Sequence, residues 1–500
     1  MKLGIRVLSL ILALLMLAAC LLACKKDGDE TDDVAAATTT VSSGDDSSAD
    51  SDAYLSKLPS MDWGEAVFMV LGNDGSFHQL SQEIARDEMP DDTVGKAVYE
   101  RNDILRQKYN FTVDETLVRR TVEEMELRYN AGDDLYDAVM YCAEDAAQHA
   151  MEGYFLDLNQ VPYINLDHHA WNQYATEQLT IAGKTYFTIS DFLITDKERF
   201  FLMHYNRDMA IQAGKGYLED MVTNNTWTFD NFNAIVTEFT GDGNGNGKTG
   251  EMEDNYGVAA ESVGTYGIFL YGGGFRLSHN VDGNIVMAGA GKDITKIIDD
   301  SEKWALKNNV VYYPDKFHQQ HPTGNAYGTE TEMFLEQRSL FLSGFLQGLE
   351  ELRAKATFER AYMPYPKYDD KQEHYYTVIN DYSHTICIPY TVGNTEKAGF
   401  MLQAITEEST KTSYYAYFEE KCKLQDSVDQ RAVDTLEIIF EHVVFDVAYI
   451  YNLADFQTCL NTMAKSGVGS RYNREYIGRA GLAEERIQEI IEKYSGDFVA

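Results

Sequence analysis

Ala66-Val67-Phe68-Met69-Val70-Leu71 is a continuous apolar run, and Gly72-Asn73-Asp74-Gly75 closes it. A run of this length, bounded by turn residues, fits a strand buried on both faces of a parallel sheet. Behind the polar start Asp91-Asp92-Thr93, the residues Val94, Val98, Leu105 and Tyr109 fall on one helical stripe. A second apolar run, Tyr136 to Cys142, follows the turn residues Gly132-Asp133-Asp134. Strand, helix, strand in that order predicts a parallel crossover and an α/β fold. The loops leaving the two strands carry Asn73-Asp74 and Glu144-Asp145. They belong on the carboxyl edge of the sheet, where open α/β sheets bind ligands.

Downstream, residues 178–206 read as a hairpin turning at Gly183-Lys184, then a strand. Helices alternate with Gly-rich loops to about residue 360, and extended character returns at 376–390. Thr226-Trp227-Thr228-Phe229-Asp230 reads as a packed helix entrance with Thr228 as its cap. From about residue 396 the chain is mainly helical, and its last helix places Leu482, Ile487, Ile490, Ile491 and Tyr494 on one face.

Upstream, Lys2 and Arg6 precede an apolar run from Val7 to Ala19 that suits a secretory leader and is too short for a stable spanning helix. Leu17-Ala18-Ala19-Cys20 and Leu21-Leu22-Ala23-Cys24 both resemble a bacterial lipobox. Cys24 is the expected acylated residue (palmitate being one such chain), with Cys20 the alternative, because charged residues follow Cys24 at once. That predicts a lipoprotein at the extracellular face of the cell membrane, with a signal peptide over 1–23. Residues 25 to about 54 are nearly all small or polar and read as a flexible tether.

The 500 residues suffice for two or three domains, and no later stretch approaches the length of a membrane span. A net charge of −38 argues against a nucleic-acid partner, which requires clustered Lys and Arg. Cys142, Cys387, Cys422 and Cys459 are too sparse for a disulfide scaffold and read as small buried residues, with one disulfide possible.

The sharpest local motif runs from Asp242 to Glu253 and has the spacing of a twelve-residue calcium loop. Asp242, Asn244 and Asn246 supply oxygens, Gly247 the sharp turn, and Glu253 the closing carboxylate. Lys248 holds the seventh position, where such loops use a backbone carbonyl. With Asn at two ligand positions, a structural calcium of modest affinity is expected. The 33 Tyr, 24 Phe and 4 Trp suit a sugar-stacking cleft, and Trp171, Tyr271 and Phe275 stand out, the last two flanking Gly272-Gly273-Gly274. Catalytic signatures are missing: there is no G-x-S-x-G or H-E-x-x-H, and Gly289-Ala290-Gly291-Lys292 is not a complete phosphate loop. His318 and His321 have no local carboxylate to complete a metal site.

In order along the chain, further short motifs resemble extracellular solute-binding proteins of family 1, the ligand-capturing lipoproteins of ABC importers. They are Gly95-Lys96-Ala97-Val98-Tyr99-Glu100-Arg101-Asn102, Tyr136-Asp137-Ala138-Val139, Gly153-Tyr154-Phe155-Leu156-Asp157-Leu158 and Ala182-Gly183-Lys184. His204-Tyr205-Asn206-Arg207, Asn225-Thr226-Trp227, the calcium-like loop running into Tyr256-Gly257, Met363-Pro364-Tyr365-Pro366-Lys367 and Ile388-Pro389 continue the series. The resemblance spans about residues 60 to 460. It implies a two-lobe, periplasmic-binding-protein-like (type II) α/β fold with a hinge and an interlobe cleft. Lobe one would hold 55–180 and 361–410, and lobe two 181–360 and the helical 411–500. It further implies a non-enzymatic, monomeric binder of a small solute, delivered to ABC permease transmembrane subunits. With the aromatic content, a carbohydrate or oligosaccharide is the expected ligand. Asn73, Asp74, Glu144 and Asp145 would bond hydroxyls, while Trp171, Tyr271, Phe345 and Tyr382 would stack. The competing readings are a surface glycosidase or lyase and a carbohydrate-binding adhesin.

Overall fold

The computed structural model describes residues 58–262, 265–303, 309–466 and 471–496. The leader, Cys20, Cys24 and the tether lie outside the described residues. Strands β1 (Ala66–Asn73), β2 (Phe111–Val118) and β3 (Ala138–Cys142) form a first sheet with a late strand, His384–Cys387, in the order late strand, β3, β1, β2. Strand β1 runs parallel to both neighbours, in register from Ala66 opposite Phe111 to Asn73 opposite Val118. The helix Thr93–Tyr109 connects β1 to β2 and buries Val94, Val98, Leu105 and Tyr109, the stripe read from the sequence. It starts where the Asp92 carboxylate accepts from the Gly95 N–H at 2.7 Å, and it stops at Asn110 in left-handed backbone.

The crossover is longer than the direct strand–helix–strand expectation. Strand β2 and a second helix, Thr121–Ala131, stand between β1 and β3. In β2 only Phe111 is fully buried, because it is an edge strand carrying Asp114 and Glu115. Only partly covered on this edge and carrying charges, β2 has no continuous apolar run to betray it.

The second sheet contains β4 (Phe201–Asn206), β5 (Tyr256–Ala260), and three strands beyond a small hairpin of β6 (Ser278–Val281) and β7 (Asn284–Met287). Those three are β8 (Val311–Tyr312), β9 (Ser339–Phe345) and β10 (Arg360–Met363). Their order is β10-β4-β9-β5-β8, with β5 parallel to β8 and β9, and β4 antiparallel to β9 and β10. Strand β11 (Thr377–Val378) follows, then β12 (His384–Cys387), the late strand of the first sheet, and β13 (Val443–Val444), which pairs with β11. The chain therefore passes from the first sheet to the second between β3 and β4, and returns between β10 and β12.

Three local expectations are corrected. Ile181 and Lys184 exchange both backbone hydrogen bonds at 3.0 Å around Ala182 and Gly183, but this bridge stands alone and no long hairpin follows. Thr228 occupies the cap position of the Phe229–Glu238 helix, yet its side chain makes no cap bond. Trp227 is buried there and donates its indole N–H to the Pro364 carbonyl at 2.9 Å. In the last helix, Tyr472–Ser495, Ile487, Ile490 and Tyr494 are buried while Leu482 is 59% exposed, and Ala483 takes the inward position. Cys142, Cys387, Cys422 and Cys459 are buried and unbridged. No described helix is long and apolar enough to cross a membrane.

Candidate ligand-binding cleft

Parallel strands end their carboxyl termini on one edge, and the first sheet does this with Asn73 on β1 and Cys142 on β3. The antiparallel β12 brings its start to the same edge, His384 opposite Cys142. The turn before β12 is bonded on: Ala143 N–H donates to Ser383 O at 2.9 Å and Glu144 N–H to Asp381 O at 3.1 Å. Asn73, Glu144 and Asp145 are thereby brought to one edge, as the sequence predicts, and Tyr382 joins them there. Asp74 is exposed and accepts from Ser76 N–H at 2.8 Å. Asn73 is buried, with Nδ2 3.2 Å from His384 Nε2, so it braces the edge from behind. His78 packs against Tyr382 with ring centroids 5.5 Å apart. Its Nε2 lies 3.6 Å from Asp145 Oδ2, to which the Cys142 thiol donates at 3.0 Å.

Beside this edge the second sheet borders a cavity of about 740 Å³, which the loop after β1 reaches but which Asn73, Asp74, Glu144, Asp145 and Tyr382 do not line. Gln79, Leu80 and Gln82, from the loop after β1, line it on the first-sheet side. Glu198 from before β4, Glu261 from after β5, Glu330, and Phe345 at the end of β9 line it on the other, with Tyr417 and Lys421. Because β4 is antiparallel to β9, with Phe201 opposite Phe345, the segment entering β4 lies at the same edge as the residues leaving β5 and β9. Polar side chains cross the gap: Gln79 and Gln82 donate to Glu198 at 2.9 and 2.8 Å, and Arg199 donates to Gln79 at 3.1 Å. The Arg199 guanidinium also lies over the Phe345 ring at 5.0 Å. Burial pushes the carboxyls of Glu198 and Glu330 up to about 7 and raises that of Glu261, where Arg199 opposes the shift.

Of the four predicted stacking residues, the structure leaves two open to a ligand. Phe345 is half-buried in the cavity wall and Tyr382 is 45% exposed. Trp171 and Tyr271 are core residues instead. Trp171 is fully buried, its indole N–H donating to Gln403 Oε1 at 3.0 Å. Tyr271 is likewise buried, its hydroxyl donating to Asp446 Oδ2 at 3.0 Å. With its polar handle satisfied inside the protein, neither ring has a face to offer. Sequence reasoning missed Gln79, Gln82, Glu198, Arg199, Glu261 and Glu330, since none carries a local motif.

The Asp242–Glu253 loop turns sharply at Gly247, φ +82°, as its spacing predicts. Asp242 accepts from the N–H groups of Gly245, Asn246 and Gly247 at 2.7, 3.1 and 2.6 Å. Those bonds, Gly247's first, hold its carboxyl below the usual range. Asn244 and Asn246 also turn their oxygens to loop N–H groups, at 3.0 and 2.9 Å. Lys248 pairs with Glu251 at 3.6 Å. Glu253 is exposed, and the buried Asp254 beside it accepts from Gly243 and Glu251 N–H at 3.1 and 2.8 Å.

No family model and no curated protein sequence matches this chain. Solved structures do. An open-conformation sugar transporter from Rhizobium etli superposes with a TM-score of 0.54 at 13% identity, over 87% of this chain and 100% of that one. A maltose-binding periplasmic protein from Listeria monocytogenes, in complex with maltose, gives 0.52 at 14% over the same shares. An ABC substrate-binding protein from the same organism, bound to cycloalternan, gives 0.51 at 12%, again over 87% and 100%. The fold is that of the ABC-transporter solute-binding proteins. In this solute-binding fold the two sheets are the cores of two α/β lobes, and the cavity between their carboxyl edges is the interlobe cleft.

Proposed function

We propose that this chain is the solute-binding subunit of an ABC importer, and that it captures a carbohydrate, an oligosaccharide by preference, without altering it. One observation carries the reading: a roughly sugar-sized cavity between the carboxyl edges of two sheets, lined by amides, carboxylates and an accessible aromatic ring. Amide and carboxylate groups bond hydroxyls, and an aromatic face covers the apolar side of a pyranose. The chain crosses between the sheets twice, so the lobes can hinge, and a ligand that contacts both walls favours closure by its better contacts in the closed state. The matched solved structures include proteins bound to maltose and to cycloalternan, which supports the ligand class. The lipobox-like cysteines Cys24 and Cys20 support anchoring at the outer membrane surface, where the closed form would meet permease subunits. The Asp242–Glu253 loop is proposed to hold a structural calcium through Asp242, Asn244, Asn246, the Lys248 carbonyl and Glu253.

Calorimetric titration of the purified chain with mono- and oligosaccharides tests the central claim. Saturable binding with the glycan recovered intact is expected. Cleaved glycan, or no binding across the panel, overturns it.

A further inference from the structure

A ring nitrogen of His78, Cys142 Sγ and an Asp145 carboxylate oxygen all lie within 4.8 Å of one another. Among the described residues no other group of three His, Cys, Asp or Glu ligand atoms converges in this way. Hydrogen bonding joins only one of the three pairs. The thiol proton engages Asp145 at 3.0 Å, but His78 Nε2, 3.6 Å from the same oxygen, is outside hydrogen-bond range. Nitrogen and oxygen ligands of a tetrahedral zinc ion sit roughly 3.4 Å apart, and sulfur and oxygen ligands about 3.6 Å apart, from ordinary Zn–ligand lengths. The observed nitrogen–oxygen separation differs from the first by about 0.2 Å and the sulfur–oxygen one from the second by about 0.6 Å, shifts that side-chain rotation covers.

The frame is firm where a site needs it. Cys142 ends β3 and is held by pairing with His384, while Asp145 sits in the first turn of the Ala143–Met151 helix. The His78 ring lies between Phe77 and Tyr382, with centroids 4.6 and 5.5 Å away. Asp145 keeps 22% of its side chain exposed, which leaves an approach for an ion.

We propose that His78 Nε2, Cys142 Sγ and Asp145 Oδ2 form a transition-metal site at the carboxyl edge of the first sheet. Zinc is the ion that this donor set suits. A thiolate and a carboxylate balance the double positive charge, a neutral imidazole adds the third bond, and one position stays open. On binding, the Cys142 S–H bond breaks, its proton leaves to buffer, and the sulfur lone pair bonds the metal, with no change of oxidation state. The assignment does not depend on the carbohydrate reading.

The test uses the full chain, stripped with chelator and titrated with Co²⁺ and then Zn²⁺. About one Co²⁺ per chain should bind with a thiolate-to-metal charge-transfer band in the near ultraviolet, and zinc should displace it. About one proton per ion should be released in calorimetry repeated in different buffers. The oxygen-only loop at 242–253 cannot produce that band. Cys142→Ala should abolish it. Should that variant fail to fold, His78→Gln decides, since it keeps the buried thiol: its affinity should fall by about tenfold or more. No band in the wild-type chain, a band retained in Cys142→Ala, or unchanged affinity in His78→Gln would overturn the site.

Discussion

The two sheet edges that face the cleft are assembled in different ways. The first is made by residues that leave β1 and β3 or enter β12, and they engage one another: Asn73 with His384, Cys142 with Asp145, His78 with Tyr382. The second draws on segments far apart in sequence. Glu198 and Arg199 precede β4, Glu261 follows β5, Glu330 comes from a helix and Phe345 ends β9. Glu198 and Arg199 bond across the gap, to Gln79 and Gln82, while Glu330 accepts from the Gly328 N–H of its own segment. The first edge is braced largely from within, with His384 also 2.8 Å from Thr195 of the segment entering β4; the second is completed in part by its opposite. On the proposed function, groups whose partners lie across the cleft are the ones a ligand would recruit on closure.

The contrast can be broken most forcefully through the aromatics. Trp171→Ala, in the braced core, should destabilise the chain by about 3–5 kcal/mol, from the lost ring and the cavity left behind, as read by denaturant unfolding. Phe345→Ala, in the open wall, should cost about 1–2 kcal/mol of stability or less, because the half-exposed ring has less to lose. It should weaken carbohydrate binding about tenfold in calorimetry. Loss of stability without loss of affinity at Phe345 would remove that ring from the proposed site.

Burial pushes Glu198 and Glu330 to about 7 in the folded chain. A raised folded pKa means the native state holds the proton more tightly than the unfolded chain does. The stability this contributes is present below the unfolded value of about 4.5 and is lost as pH rises through about 7. The melting temperature should therefore fall between about pH 5 and pH 8, and Glu198→Gln should flatten the profile. An unchanged slope would count against Glu198 as the source. The smallest expected effect is at the Asp242–Glu253 loop, most of whose residues are exposed. Chelator should lower the melting temperature by a few degrees, about 1 kcal/mol or less, and Asp242→Ala should abolish that response. No chelator effect would dismiss the calcium.

The sequence by itself determined the class of fold and one of the two edges. Apolar runs at 66–71 and 136–142, bounded by turn residues and separated by a helical stripe, fit neighbouring parallel strands, whose following residues share an edge. Asn73, Glu144 and Asp145 were legible for that reason, and the Gly247 turn was legible from local backbone chemistry. Only the tertiary structure decided the rest. It sent Trp171 and Tyr271 inward, because aromatic rings with a buried partner for N–H or O–H pack better than they stack. It inserted β2, whose half-exposed faces leave no periodic signal. It also gathered Glu198, Arg199, Glu261 and Phe345 through the antiparallel pairing of β4 with β9, a long-range register that no local spacing encodes.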